Sequence, residues 1–352
     1  MKNLTNNFDG LRIIAATMVL VSHQFALLQL PQPEIYPGMT IGTVAVFMFF
    51  VISGYLVTKS WVDDPNISRF AARRSLRLIP GLVVAIALSV FVLGPIVSTL
   101  RPAEYFGTHD PRQYLWIIRF RPHFGMPGAF ESNPFPEAAN GSLWSIPYEI
   151  VCYVLMGAVG LVGMMRSRRM CLAAVALLAL YRFGIKHSEL NAARIWMLDL
   201  GLFFSAGALI QMFKSVWIWR SKTLLLCALI FSAVTAWRGH YFVALWLMLP
   251  SLTIVCGEAS TPVLRRFGRF GDISYGIYIY AFITQQTLIL ATGARWSVYQ
   301  YMPVSLAITV CLAFASWHLI ERPALSLKPR RRSAAQRQSA GSGVLPAASQ
   351  GR

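Results

Sequence analysis

Arg12 and His23 stand eleven residues apart in the first long apolar run of the chain, Leu11 to Leu30. At about 100° per residue, that spacing returns a helix to within roughly 20° of its starting face, so both side chains project the same way. The rise between them is roughly 16 Å, which sets Arg12 at one edge of a bilayer and His23 past its midplane. An ionisable residue that deep is costly, and its default reading is a functional site lined by protein or water. A neutral imidazole titrates near physiological pH and is a natural general base. The alternative is a histidine satisfied by a neighbouring helix.

Three further constellations carry polar chemistry. Phe49-Phe50-Val51-Ile52-Ser53-Gly54-Tyr55 puts a small pair, Ser53 and Gly54, near mid-membrane, where it permits close helix approach or leaves room for a ligand. Arg69, Arg73 and Arg77 share one helix face at four-residue spacing, with Arg74 beside them. Guanidinium groups bind phosphate bidentately, and they equally suit lipid headgroups. Asn140-Gly141-Ser142-Leu143-Trp144-Ser145-Ile146-Pro147-Tyr148-Glu149 reads as a helix start, with Asn140 or Ser142 as cap and Pro147 in the first turns. Counted from that start, Glu149 lies roughly 10 Å below the outer surface, close to the depth of His23, so the two are expected as a base and its orienter. The other reading of Glu149 is an interfacial carboxylate in water. Asp9 is expected to pair with Arg12 or to cap the first helix.

The elements that position these groups follow from composition. Hydrophobic residues make up 56% of the chain and charged residues 13%, half the charge of a typical soluble domain. Ten apolar spans are expected: 11–30, 42–58, 78–98, 142–163, 170–182, 195–213, 223–237, 241–257, 273–292 and 302–320. The fold class is all-α and polytopic. With both termini cytoplasmic, 23 of the 32 Lys and Arg fall on the inner side, as the positive-inside rule requires. The net charge of +18 is thus chiefly a topology signal, and no nucleic-acid partner is expected. The five cysteines show no paired spacing, so neither a disulfide framework nor a metal site is expected. Residues 1–325 read as one integral-membrane domain with a long outer loop, 99–141. Residues 326–352 read as a basic, disordered cytoplasmic tail that can rest on anionic lipid.

The chain has no G-x-S-x-G, H-E-x-x-H, Walker A or G-x-G-x-x-G motif. FDGLRIIAATMVLVSH, FFVISGYL, RRSLRLIP, NGSLWSIPYEIVCY, GDISYGIYIYAF and HLIERPAL, in that order from Phe8 to about Leu325, resemble the membrane acyltransferase-3 family. Its Arg-x10-His mark is here Arg12 and His23. The NGSLW-x-x-PYE version is similar to the branch that O-acetylates bacterial polysaccharides such as lipopolysaccharide O-antigen and exopolysaccharide. The resemblance implies an inner-membrane enzyme that moves an acyl group, acetyl by preference, from cytoplasmic acyl-coenzyme A to a carbohydrate hydroxyl.

On that resemblance His23, Arg12 and Glu149 are the catalytic candidates, and Arg73, Arg74, Arg77 and Ser53 the donor-binding ones. Trp144, Tyr148 and Tyr275 are the candidate acceptor contacts, with Tyr278 and Gln285 on the same path. Arg112, Arg119, Arg121 and His123 of the outer loop suit an anionic glycan or plain surface charge. One departure is that many members carry an aromatic-His pair in the ninth span, where this chain reads Tyr280-Ala281. The rival class is a proton-coupled glycan or lipid-linked-sugar transporter with His23 and Glu149 as relay, which leaves the arginine ladder unexplained.

Overall fold

A bilayer offers no partner for a free peptide group, so apolar runs of this length close their hydrogen bonds internally as helices. The computed structural model describes residues 6–108, 124–136, 138–184 and 191–329. Ten long helices carry it: α1 (Phe8–Leu27), α2 (Ile41–Asp63), α3 (Ile67–Ala87), α4 (Ile146–Leu161) and α5 (Arg168–Gly184), then α6 (Ala192–Met212), α7 (Ser221–Trp237), α8 (Tyr241–Glu258), α9 (Ser274–Thr292) and α10 (Val298–Ser316). Among the described residues the only sheet is a hairpin of β1 (Glu34–Tyr36) and β2 (Met39–Thr40) between α1 and α2. The chain is an all-α polytopic protein, and each of the ten expected spans falls on one of these helices.

Eight helical stretches among the described residues are long and apolar enough to cross a membrane. The two that fall short have different reasons. Helix α5 has 17 residues, about one turn less than a full crossing needs. Helix α9 is long enough but carries three tyrosines, Thr284, Gln285 and Gln286 among its 14 buried residues. Neighbouring elements bond these groups: Gln285 donates to the Leu20 carbonyl at 2.8 Å, and Asn133 donates to Gln286 Oε1 at 2.7 Å. A helix screened from lipid does not need an apolar surface. Helix α7 is the opposite case, with Leu226, Ile230, Phe231 and Val234 all exposed, as a lipid-facing helix requires.

Helix α2 runs through the centre. Gly54 faces the Phe204 carbonyl of α6, and Gly207 of α6 faces the Val51 carbonyl of α2; a Cβ at either would collide with backbone. The close approach assigns Gly54 to packing and turns its neighbour Ser53 toward the opposite side. Helix α1 lies antiparallel on α2, with Phe8 against Tyr55, ring centres 5.6 Å apart, at one end. Ser22 lies against Gly42 at the other. Side chains cap helix starts: Thr40 accepts from the Thr43 amide, Asn66 from that of Arg69, and Asn191 from that of Arg194, while at α10 Gln300 Oε1 accepts from the Ser297 amide. Helices α3 and α10 are lengthened by wider π turns, Leu88–Leu93 and Trp317–Glu321. Such turns re-aim side chains and recur at functional sites.

Candidate active site

A cavity of about 640 Å³ opens among α1, α2, α3, α4, α9 and the C-terminal segment, within the usual range for small-molecule sites. Asp9, Lys59 and Lys328 stand at one end, so the first and last described segments meet at its mouth. Arg12, Arg73, Arg74 and Arg77 line the next level, then Ser53, Glu149, Tyr153 and Tyr275, and finally Val46, Ser145 and Tyr278. From Ser60 to Val46 the α2 wall is roughly 21 Å deep.

The four cavity arginines are not equivalent. Arg73 Nη1 donates to Asp64 at 2.7 Å, and Arg69 grips the same carboxylate at 2.9 and 2.6 Å. Arg12 and Arg77 both donate to Asp272 Oδ2, at 3.0 and 2.7 Å, and Asp9 lies 3.6 Å from Arg12. Ser274 donates to the other Asp272 oxygen at 2.5 Å. Arg74 differs: its guanidinium lies over the Tyr153 ring, 5.8 Å from the centroid, and its buried Nε has no hydrogen-bond partner. No carboxylate among the described residues pairs with it. The expected common face of Arg69, Arg73 and Arg77 is thus divided between two carboxylates, while Arg74 keeps its charge for the cavity.

Glu149 is where the structure corrects the expectation most. Its Oε1 accepts from Ser53 at 2.9 Å and from Tyr153 at 2.5 Å, on the wall of the cavity. Among the described residues no hydrogen bond joins it to His23. The register of α1 on α2 puts Ser53 opposite Arg12, about 18 Å along the axis from His23. The depth count failed because it began at the membrane surface, whereas the segment before α4 is already inside the bundle. Asn140 is 1% exposed and donates to the Ile279 carbonyl at 2.8 Å, so neither it nor Ser142 caps a helix at the surface.

His23 lies beyond the far end of the cavity. Its Nδ1 is 3.4 Å from Ser142 Oγ, and its ring meets the Phe282 edge with centres 5.1 Å apart. Ser142 and Ser145 belong to one 3-10 turn, Gly141–Ser145. Residues three apart in such a turn eclipse one another at about 6 Å of rise. The cavity end and the histidine are therefore one turn apart.

Tyr275 lies on the cavity, donates to the Leu78 carbonyl at 2.8 Å and stacks under Arg77. Trp144 and Tyr148 are not brought to its lining; they pack on each other, and Trp144 also packs on Trp196. Gln285 faces α1, not the cavity. Arg112, Arg119, Arg121 and His123 lie outside the described residues, as does the tail from residue 330. Asp64, Asp272 and Ser145 were not singled out in the sequence as site residues, whereas Tyr278, expected on the acceptor path, does line the cavity. Asp272 offered one signal, an acid directly before an apolar helix, but its cationic partners are far away in the chain. Among the described residues no group of three or more His, Cys, Asp or Glu side chains is placed to hold a metal ion.

The chain is 31% identical to an O-acetyl transferase of Shigella phage Sf6, over 90% of this chain and 95% of that protein. It is 28% identical to Nodulation protein 10 of Rhizobium leguminosarum bv. viciae, over 92% and 94% respectively. It is 25% identical to a putative membrane-bound transacylase, BcsY, of Komagataeibacter xylinus, over 96% and 88%. No solved structure matches the chain. The acyltransferase-3 family model, described as an acyltransferase domain, matches residues 5–318. With nearly the whole membrane domain inside that match, the chain belongs to the acyltransferase-3 family.

Proposed function

We propose that this chain moves an acyl group, acetyl by preference, from acyl-coenzyme A to a hydroxyl of a cell-surface or exported polysaccharide, or of its lipid-linked precursor. The observation that carries the reading is the cavity itself. Inside its mouth stands a cation that no carboxylate among the described residues neutralises, Arg74, and its far end is one 3-10 turn from His23. Phosphate groups of the donor suit Arg74, with Arg77, Arg12 and Arg73 completing a positive wall. A pantetheine arm would follow α2 past Ser53 and Glu149, which hold that wall in shape, and deliver the thioester toward Ser145. The arginine end then faces the cytoplasm, where coenzyme A is found, and the histidine end faces the outer side of a bacterial inner membrane.

His23 acts as general base in this reading. With Nδ1–H turned to Ser142 Oγ, Nε2 keeps its lone pair for the acceptor hydroxyl. A direct transfer needs no nucleophile from the protein. The likeness to the phage protein, an O-acetyl transferase, supports both the acetyl group and the oxygen acceptor. O-antigen and exopolysaccharide are the acceptor classes to supply first.

The test is transfer of label from radiolabelled acetyl-coenzyme A to envelope glycan, with wild type and His23→Ala compared at matched membrane abundance. Label with wild type alone is expected. Equal labelling by the variant removes His23 from the chemistry, and no labelling with any native glycan overturns the reading.

A further inference from the structure

Ser145 and Tyr278 meet at the far end of the cavity, with their hydroxyl oxygens 2.6 Å apart. They are 6% and 7% exposed, and they come from elements far apart in sequence, the 3-10 turn before α4 and helix α9. Two hydroxyls hold two protons, and the bond between them uses only one. Among the described residues neither hydroxyl has another hydrogen-bond partner. One O–H donor is therefore unspent at the deepest point of the cavity, where a buried polar group normally finds a partner. The Tyr278 ring is held edge-on against Phe49, centres 5.8 Å apart, so the phenol cannot swing away to find one.

Given the acyltransferase reading, on which this step rests, we infer that the Ser145–Tyr278 pair is a catalytic hydrogen-bond donor to the acyl carbonyl oxygen. The thioester would end where the unspent O–H points, and the acceptor hydroxyl would enter between it and His23, one turn away. As the acceptor oxygen bonds to the acyl carbon, its proton passes to His23 Nε2. The carbonyl electron pair moves onto the oxygen, which takes the hydrogen bond from the pair. When the carbonyl re-forms, the carbon–sulfur bond breaks. The coenzyme A thiolate leaves and takes the proton from the imidazolium. Donors already aimed at a developing oxyanion do not reorganise during the reaction, and removing one costs about a hundredfold or more in turnover.

The test uses full-length protein in nanodiscs, with acetyl-coenzyme A and the envelope glycan that wild type accepts. Tyr278→Phe and Ser145→Ala are each expected to lower kcat by about a hundredfold, with KM for acetyl-coenzyme A within about threefold of wild type. The double variant should be no worse than the poorer single one, because the two hydroxyls act as a unit. Carbonyl-13C acetyl-coenzyme A bound to His23→Ala should show its carbonyl infrared band moved to lower frequency, and adding Tyr278→Phe together with Ser145→Ala should abolish that shift. The bound donor also reports that the variant is folded. Unchanged kcat in Tyr278→Phe, or an unchanged band, overturns this inference and leaves the acyltransferase reading standing. Absence of transfer by wild type with every glycan overturns both.

Discussion

Asp64 binds two arginines and Asp272 two more, yet Arg74, which lies between Arg73 and Arg77, has no carboxylate partner among the described residues. That difference sorts the arginines by what their loss would do. Arg74→Ala should raise KM for acyl-coenzyme A by about 10-fold or more, the worth of a charge-assisted bond to phosphate, while folded yield stays at the wild-type level. Donor titration at fixed glycan checks it; a fall in yield with KM intact would make Arg74 a packing residue. Asp64→Ala should act the other way, because it strands Arg73 in the bundle. Breaking a buried pair costs about 3–5 kcal/mol, readable as a lower unfolding temperature in detergent. The Arg69 hydrogen bond, and then that of Arg73, holds the Asp64 carboxyl well below the usual carboxylate range. Its contribution is therefore complete above that range and is lost as pH falls through it. The stability difference between wild type and Asp64→Asn should be constant near neutral pH and shrink in acid, as paired melting curves across pH would show.

At the scale of elements, local spacing was legible and long-range pairing was not. The common face of Arg12 and His23 and the four-residue arginine spacing depend only on helix pitch, and ten apolar runs became ten helices. Asp272 pairs with Arg12 across 260 positions, a contact that no local pattern announces. The Glu149 depth failed for a related reason: counting residues needs a fixed starting level, and the buried Asn140 start moved it. Gly54 shows what a small residue in a span is worth once its neighbour is known. Gly54→Ala, or Gly207→Ala on the facing helix, would force the α2 and α6 backbones apart and should sharply reduce folded protein. Gly107→Ala, where a Cβ meets nothing within 4 Å, is the control. Fluorescence-detected size exclusion of tagged variants distinguishes them, and normal profiles for both packing variants would show the interface to be compliant.

For the molecule as a whole, both described ends of the chain border one cavity mouth, and the expected ten crossings would put both on one side. Arg169, in the first turn of α5, and Ile35, in β1, are both exposed, and the charge pattern sets them on opposite sides. In a cysteine-free background, Arg169→Cys should react with an impermeant thiol reagent only in inverted vesicles, and Ile35→Cys only in intact spheroplasts. Both reacting from the same side would overturn the ten-span arrangement. A single crossing lost or gained between them would have that effect.

Helix α9 has a further consequence, for how the chain enters the bilayer during synthesis. Its three tyrosines and paired glutamines give a lone segment little reason to leave the translocation channel for lipid. It is, however, the second-last long helix to be made, and α1, which covers it through Leu20 and Gln24, precedes it by some 250 residues. By the time α9 emerges, α1 is already in the membrane to receive it, while α10, against which Gly276 packs through Ala313, is still to come. The order of the helices along the chain thus lets a polar one be received by protein, and the Tyr278 hydroxyl it carries is installed near the end of assembly.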